Sequence, residues 1–192
     1  MKAKLFTIPT LLLYSLAMII WGYFIFPLWS VMLIVWFAVA TYAVAKHLDV
    51  RLDERQRSTY WLIIYLYPLI ESIIKYMING NVIAYSWFWL NRLEHFAWAV
   101  AMGLLLIPFL SPSLRKLSLP FQLLLYVGAV VIIGNLNEFF EYAIRIYIGM
   151  FGNQAKMAAF YWDTIYDLVI NMLGSAFSFY LYSIFFTEKR KS

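Results

Sequence analysis

The chain has no cysteine among its 192 residues. That excludes disulfides, thiol nucleophiles, iron–sulfur clusters and cysteine-ligated zinc. It has only two histidines, His47 and His95, which excludes a multi-histidine zinc or di-iron membrane enzyme. No H-E-x-x-H, G-x-x-x-x-G-K-[ST] or G-x-S-x-G occurs, so the zincin, P-loop and serine-elbow chemistries have no footing. Charge is scarce as well. Only 13% of residues are charged, against about a quarter in a soluble domain. What fills the chain instead is apolar and aromatic: 64% hydrophobic, with 20% Phe, Trp and Tyr. Such a chain belongs in a bilayer.

Apolar runs divide the sequence into about six spans, which predicts an all-α, polytopic transmembrane bundle in one integral domain, 1–192. The first two spans, 8–26 and 27–45, meet at Pro27. The N-terminal run resembles a signal peptide but lacks a small-residue cleavage site, so it is expected to stay as the first helix. A charged segment, K-H-L-D-V-R-L-D-E-R-Q-R-S, follows; without a Gly or Pro break it is expected to extend a helix end into water, and it places His47 in solvent. The third span is 59–78, closed by the turn signal Asn79-Gly80-Asn81. The short aromatic piece V-I-A-Y-S-W-F-W-L suits an interfacial or re-entrant segment. The fourth span starts near Asn91 and stops before S-P-S-L-R-K. The fifth starts near Ser118, and its apolar part gives way to acids at 135–142. Beyond that it either continues or bends as a juxtamembrane helix. G-M-F-G-N-Q-A-K is expected to be a loop, and the last span covers 161–186.

Lys and Arg set the orientation. Eleven of the fifteen fall on the side that holds both termini, which is therefore expected to be cytoplasmic. The net charge of +5 thus follows membrane topology and is no nucleic-acid signal. Six of the ten acids fall on the other half: Glu71, Glu94, Glu138, Glu141, Asp163 and Asp167.

The stretch 163–178 organises these acids. Asp163, Asp167 and Asn171 recur at i, i+4, i+8 and stack on one helix face, continued by Gly174, Ser175 and Ser178. Two carboxylates and an amide facing lipid would be very costly, so this face looks inward and needs partners. Partners are expected from three other helix ends: Glu71 and Lys75; Arg92, Glu94 and His95; Asn135, Glu138, Glu141 and Arg145. Glu71 and Lys75, one turn apart, suit a pair within their own helix.

His95 with Glu138, Asp163 and Asp167 forms an oxygen-rich, single-imidazole set. It fits one divalent cation: Mg, Mn, Ca, or zinc with carboxylates. The same residues, with Glu141 and Asn171, suit general acid–base catalysis, because crowded buried carboxylates retain protons near neutral pH. Arg92 and Arg145 suit phosphate oxygens of a headgroup or the neutralisation of neighbouring acids. Trp87 and Trp89, within the aromatic stretch 85–89, suit a wall for a membrane lipid. A polar seam that glues helices is the plainest role for Asp163, Asp167 and Asn171.

R-L-E-H-F-A-W, then E-F-F-E, then W-D-T-I-Y-D-L-V-I-N-M-L-G-S, in that order, resemble the VanZ-like membrane proteins and the related YjdF-type inner-membrane proteins. The likeness covers roughly the C-terminal half. It implies that His95 is the family histidine, Glu138 or Glu141 the glutamate, Asp167 the aspartate, Asn171 the asparagine and Gly174 the glycine. The D-T step at Asp163-Thr164 is closer to the YjdF type. The VanZ type has an Arg shortly before the final Asp motif, where this chain offers only Lys156. The resemblance implies a multi-pass protein of the inner or plasma membrane with a shared polar site, and no particular reaction. Together these readings give an expected envelope protein that hydrolyses or transfers a lipid or lipid-linked headgroup. The rival expectations are a cation- or proton-binding, transport-like protein and a structural subunit of an envelope complex.

Overall fold

A computed structural model describes residues 7–48, 52–84, 88–147 and 154–186. Helices account for nearly all of them, and no strand occurs among the described residues. Seven α-helices follow in order: α1 (Ile8–Ile25), α2 (Pro27–Ala43), α3 (Glu54–Asn79), α4 (Phe88–Leu105), α5 (Ile107–Leu114), α6 (Leu119–Tyr147) and α7 (Gln154–Phe185). Five of them are long and apolar enough to cross a membrane, and the bent pair α4–α5 makes a sixth span if taken as one. Five to six candidate spans thus stand against the roughly six expected. The chain divides into two compact units, Met1–Trp87 with Leu104–Pro112, and Phe88–Gly103 with Ser113–Ser192.

In the first unit, α1 begins at a reciprocal cap between Thr7 and Thr10. It ends at Phe26, whose extended backbone turns the chain directly into Pro27 at the start of α2. Proline suits that position because the first helical N–H needs no partner. Gly22 lets the two helices close: a Cβ there would lie 2.6 Å from Leu33 Cδ1. α2 runs past the apolar boundary as a π-helical turn, Val44–Leu48, in keeping with the expected extension of a helix end. His47, expected in solvent, packs its ring 5.2 Å from that of Phe109 and 5.6 Å from that of Tyr42. The imidazole offers an apolar edge that aromatic neighbours can cover.

α3 starts five residues earlier than expected. Asp53 caps it, accepting from the Gln56 N–H at 2.8 Å while the Gln56 side chain accepts from the Asp53 N–H at 3.1 Å. Pro68 lies inside α3 and cannot donate to the Ile64 carbonyl. The Trp36 indole N–H takes that carbonyl instead, at 3.3 Å. Trp29 likewise donates to Ser72 Oγ at 2.8 Å. Indole donors thus supply the hydrogen bonds that water would otherwise make.

The expected fourth span is broken. α4 gives way at Leu106 to α5, which carries the Ser-Pro-Ser-Leu run before which the fourth span was expected to stop. Pro108 lacks the N–H that would continue the α4 ladder, and the Leu105 carbonyl accepts from the Tyr60 hydroxyl at 2.8 Å. The aromatic piece before it is not a separate element at its end: residues 88–90 open α4, while 85–87, including Trp87, lie outside the described residues. Asn81 has φ 56°, in keeping with the expected turn after α3.

In the second unit, α6 continues unbroken through the acids to Tyr147, which selects the continuing helix over the bent one. α7 begins at Gln154, seven residues before its expected start. Its first turns, Q-A-K-M-A-A-F, consist mainly of strong helix formers, which outweigh the apolar-run boundary. At 32 residues, α7 is about 48 Å long, more than a hydrocarbon core of about 30 Å needs. α6 packs along α7, and α4 meets α7 at Gly174, where a Cβ would lie 2.7 Å from the Phe96 carbonyl oxygen and 2.8 Å from Ala99 Cβ.

These glycines give a contrast. Gly128 on α6 has open space around its would-be Cβ. Gly128→Ala should hold or raise the melting temperature in detergent, because alanine is the better helix former by about 1 kcal/mol. Gly174→Ala should lower it, since the backbone of α4 must move to admit one methyl. Equal melting temperatures for the two variants would disprove the close α4–α7 approach.

Candidate functional site

The face expected to look inward does so. Asp167 and Asn171 are buried at 3% and 1% exposure, and Gly174, Ser175 and Ser178 are buried below them. Asp163, at the outer end of the row, is partly exposed.

The partner of the aspartates is Arg92. Its Nη2 donates to Asp163 Oδ1 at 2.8 Å and its Nη1 to Asp167 Oδ1 at 2.5 Å. One guanidinium thus spans two carboxylates a helical turn apart, a geometry that suits Arg and not Lys. Nη1 also donates to Asn91 Oδ1 at 2.5 Å, and the Tyr166 ring lies 5.4 Å from the guanidinium carbon. Arg92 is itself buried. Expected to take substrate phosphate or to neutralise acids, it is placed in the second of these positions.

His95 lies one turn along α4 from Arg92. Its Nε2 is 3.5 Å from Asp167 Oδ2, and its Nδ1 is 3.5 Å from Glu138 Oε1. Asp167 therefore faces Arg92 with one oxygen and His95 with the other. Three helices meet here: α4 brings Arg92 and His95, α6 brings Glu138, and α7 brings Asp163, Asp167 and Asn171. Ligand atoms of His95, Glu138 and Asp167 all lie within 4.8 Å of one another. That spacing suits a single metal ion or a shared proton.

Below this tier the row becomes neutral. Ser175 donates to the Asn171 carbonyl at 2.6 Å, and Ser178 to the Val100 carbonyl at 3.1 Å. The Tyr126 and Ser178 hydroxyls are 2.7 Å apart, both buried. Tyr126 and Asn91 are the polar partners that sequence reasoning missed. Asn91 had a signal, its place beside Arg92. Tyr126 had none that set it apart from fourteen other tyrosines.

The remaining expected residues divide. Glu71 belongs to the first unit and pairs there with Lys75 at 3.2 Å, with the ammonium also 5.2 Å above the Trp29 ring. Trp89, expected to line a lipid wall, is 64% exposed. Glu141 and Arg145 lie on α6, but their side chains are outside what is described. Trp87 is likewise outside it.

Several apolar helices and a charged cluster held between three of them define a multi-pass helical membrane protein. Residues 6–188 match the model of a family described as predicted membrane protein, DUF2238. The chain belongs to that family, and the match covers nearly its whole length. No curated protein and no solved structure matches it.

Removing the guanidinium should be the most damaging single change here. Arg92→Ala leaves two carboxylates short of their counter-charge and should cost about 3 kcal/mol or more. Unfolding of the purified protein in micelles measures this. Adding Asp167→Asn to Arg92→Ala should return part of the loss. A double variant that is less stable than Arg92→Ala would contradict the pairing.

Proposed function

We propose that the protein is an enzyme of the inner or plasma membrane that hydrolyses or transfers a lipid or lipid-linked headgroup, with His95 as its acid–base group. The observation that carries this reading is the imidazole set between Asp167 Oδ2 and Glu138 Oε1, 3.5 Å from each. A carboxylate against each ring nitrogen orients the ring. Asp167 is fixed in turn by Arg92, so the base has an orienter and the orienter has an anchor, as acid–base sites require.

In this reading His95 takes a proton from water or an acceptor hydroxyl. The oxygen so freed attacks the headgroup, and His95 returns the proton to the leaving oxygen. Glu138 and Asp167 hold the charge of the imidazolium in between; with Asp163 they would hold a shared proton or one divalent cation. Asp163, less buried than Asp167, lies on the side from which a headgroup would approach. Arg92 acts as a positioning residue, because its hydrogen bonds are directed to Asp163, Asp167 and Asn91. The order of the His, Glu and D-x-x-x-N-x-x-G motifs, shared with VanZ-like and YjdF-type proteins, supports a common polar site of this kind.

A second reading is a cation- or proton-binding protein without chemistry. The hydroxyls of Ser178 and Tyr126 favour it by carrying polarity further along α7 than Asp167 does.

His95→Ala and Asp167→Asn, made separately, should each change the membrane lipid profile of cells to resemble that of cells without the protein. Lipid extraction and mass spectrometry of strains with matched protein levels provide the check. Profiles identical to wild type in both variants would remove the enzyme reading. Cation-dependent flux in proteoliposomes would then favour the second.

A further inference from the structure

Asn171 is buried one turn along α7 from Asp167, and Asn135, one turn back from Glu138 on α6, is half-buried with its amide oxygen shielded. Asn171 is 1% exposed, and its Oδ1 has no hydrogen-bond partner. Asn135 Oδ1 is also buried and without one. Leaving a buried amide oxygen unsatisfied is costly, because its bond to water is lost and not replaced. Two such oxygens on facing helices are a place where the fold accepts a cost.

Their position is fixed by the register of three helices. On α4 the residue one turn on from His95 is Trp98. On α6 the residue one turn back from Glu138 is Gly134. On α7 the residue one turn on from Asp167 is Asn171. These three meet: a Cβ on Gly134 would lie 3.0 Å from Asn171 Nδ2 and 3.4 Å from Trp98 Cζ3. Asn171 therefore lies at the junction directly beneath the tier of His95, Glu138 and Asp167. Asn135 follows Gly134 and shares a face with Glu138 at i, i+3.

The spacings are those at which one helix gives two ligands to one metal. Asp167 and Asn171 are i, i+4, like the two histidines of H-E-x-x-H. Asn135 and Glu138 are i, i+3, like the Glu-x-x-His pairs of carboxylate-bridged metal bundles. One imidazole, two carboxylates and two amide oxygens make a set of five, four of them oxygen. Carbonyl and carboxylate oxygens select Mg²⁺, Ca²⁺ or Mn²⁺, while a lone imidazole is best matched to Mn²⁺ in that group. Structural zinc sites instead draw on four ligands rich in Cys and His.

We propose that His95, Glu138, Asp167, Asn135 and Asn171 bind one oxygen-preferring divalent cation, with Mn²⁺ as the best match, and that the two asparagines are ligands and not helix glue. The inference rests on the acid–base reading only for what the ion would serve. The ion would hold the attacking oxygen's charge, leaving His95 or Asp167 to exchange ligation for proton transfer. Binding itself needs no reaction.

The test is manganese alone. The full-length protein is purified in micelles, stripped with EDTA and titrated with MnCl₂ while electron paramagnetic resonance follows the free ion. The expected result is one Mn²⁺ per chain, with affinity lowered at least about tenfold in Asn135→Ala and in Asn171→Ala. Asn171→Asp, which keeps an oxygen in place, should bind at least as well as wild type. Gel filtration and a melt of each variant separate lost binding from lost fold, and Asn171→Asp supplies the answer if Asn171→Ala does not fold. No bound Mn²⁺ in the wild type, or wild-type affinity in both alanine variants, overturns the proposal. Manganese binding with unaltered lipid profiles in His95→Ala cells would sink the enzyme reading and keep the site. Altered profiles with no manganese binding would do the reverse.

Discussion

The contact between Arg92 and Asp167 is the one on which the second unit depends. Both side chains are buried. A lone charge of either sign would be expensive inside an apolar bundle, so each permits the other. The guanidinium has enough donors to reach Asp163 and Asn91 as well, while Asp167 keeps its second oxygen toward His95. The pair is therefore more than a neutralised couple. It fixes a carboxylate oxygen in front of an imidazole, and the rest of the cluster is placed by that oxygen.

Helix packing makes this reach possible. Arg92, His95 and Asp167 can meet only if α4 and α7 run close together. Gly174 sets that distance: its missing side chain leaves the Phe96 carbonyl and Ala99 in the space a Cβ would need. Gly134 does the same between α6 and Asn171. Small residues in membrane helices let backbones approach where no hydrophobic drive pulls them together. Here the approach also brings ionisable groups on three helices within hydrogen-bonding range or slightly beyond it. The glycine positions and the charged positions are parts of one arrangement. Moving a helix outward by the width of a methyl would separate His95 from both of its acids.

The i, i+4, i+8 row from Asp163 to Asn171 could be read directly, because a polar period of nearly 3.6 inside an apolar run has one physical solution, an inward face. The convergence of His95, Glu138 and Asp167 was legible for the same reason: acids in lipid need partners, and few residues could serve. The role of Arg92 was legible only as a pair of alternatives, since a guanidinium suits phosphate and carboxylate equally. The boundaries of α3 and α7 were not legible from apolar runs, because the Asp53 cap and the alanine-rich start of α7 extend helix beyond them. The break at Leu106 leaves no mark in the apolar pattern, because Pro108 lies within the run L-L-L-I-P-F-L. Tyr126 was hidden among many tyrosines, since burial of a hydroxyl against Ser178 leaves no local pattern.

The gradient along α7 argues for a site with one open side. Its charged groups gather at one end of the row, from Asp163 to Asp167. Further along come an amide, then hydroxyls whose partners are backbone carbonyls or each other. A conduction path needs groups that exchange an ion or a proton at every step, and a carbonyl that only accepts a hydroxyl proton gives no such exchange. A hydroxyl bound in this way satisfies its helix and joins it to a neighbour. The lower part of the row thus has the chemistry of a fastening, and the upper part is a cluster of charged and ionisable groups. Charge at one end, with neutral hydrogen bonds beneath it, leaves His95 mostly buried beside the more exposed Asp163 end of the row.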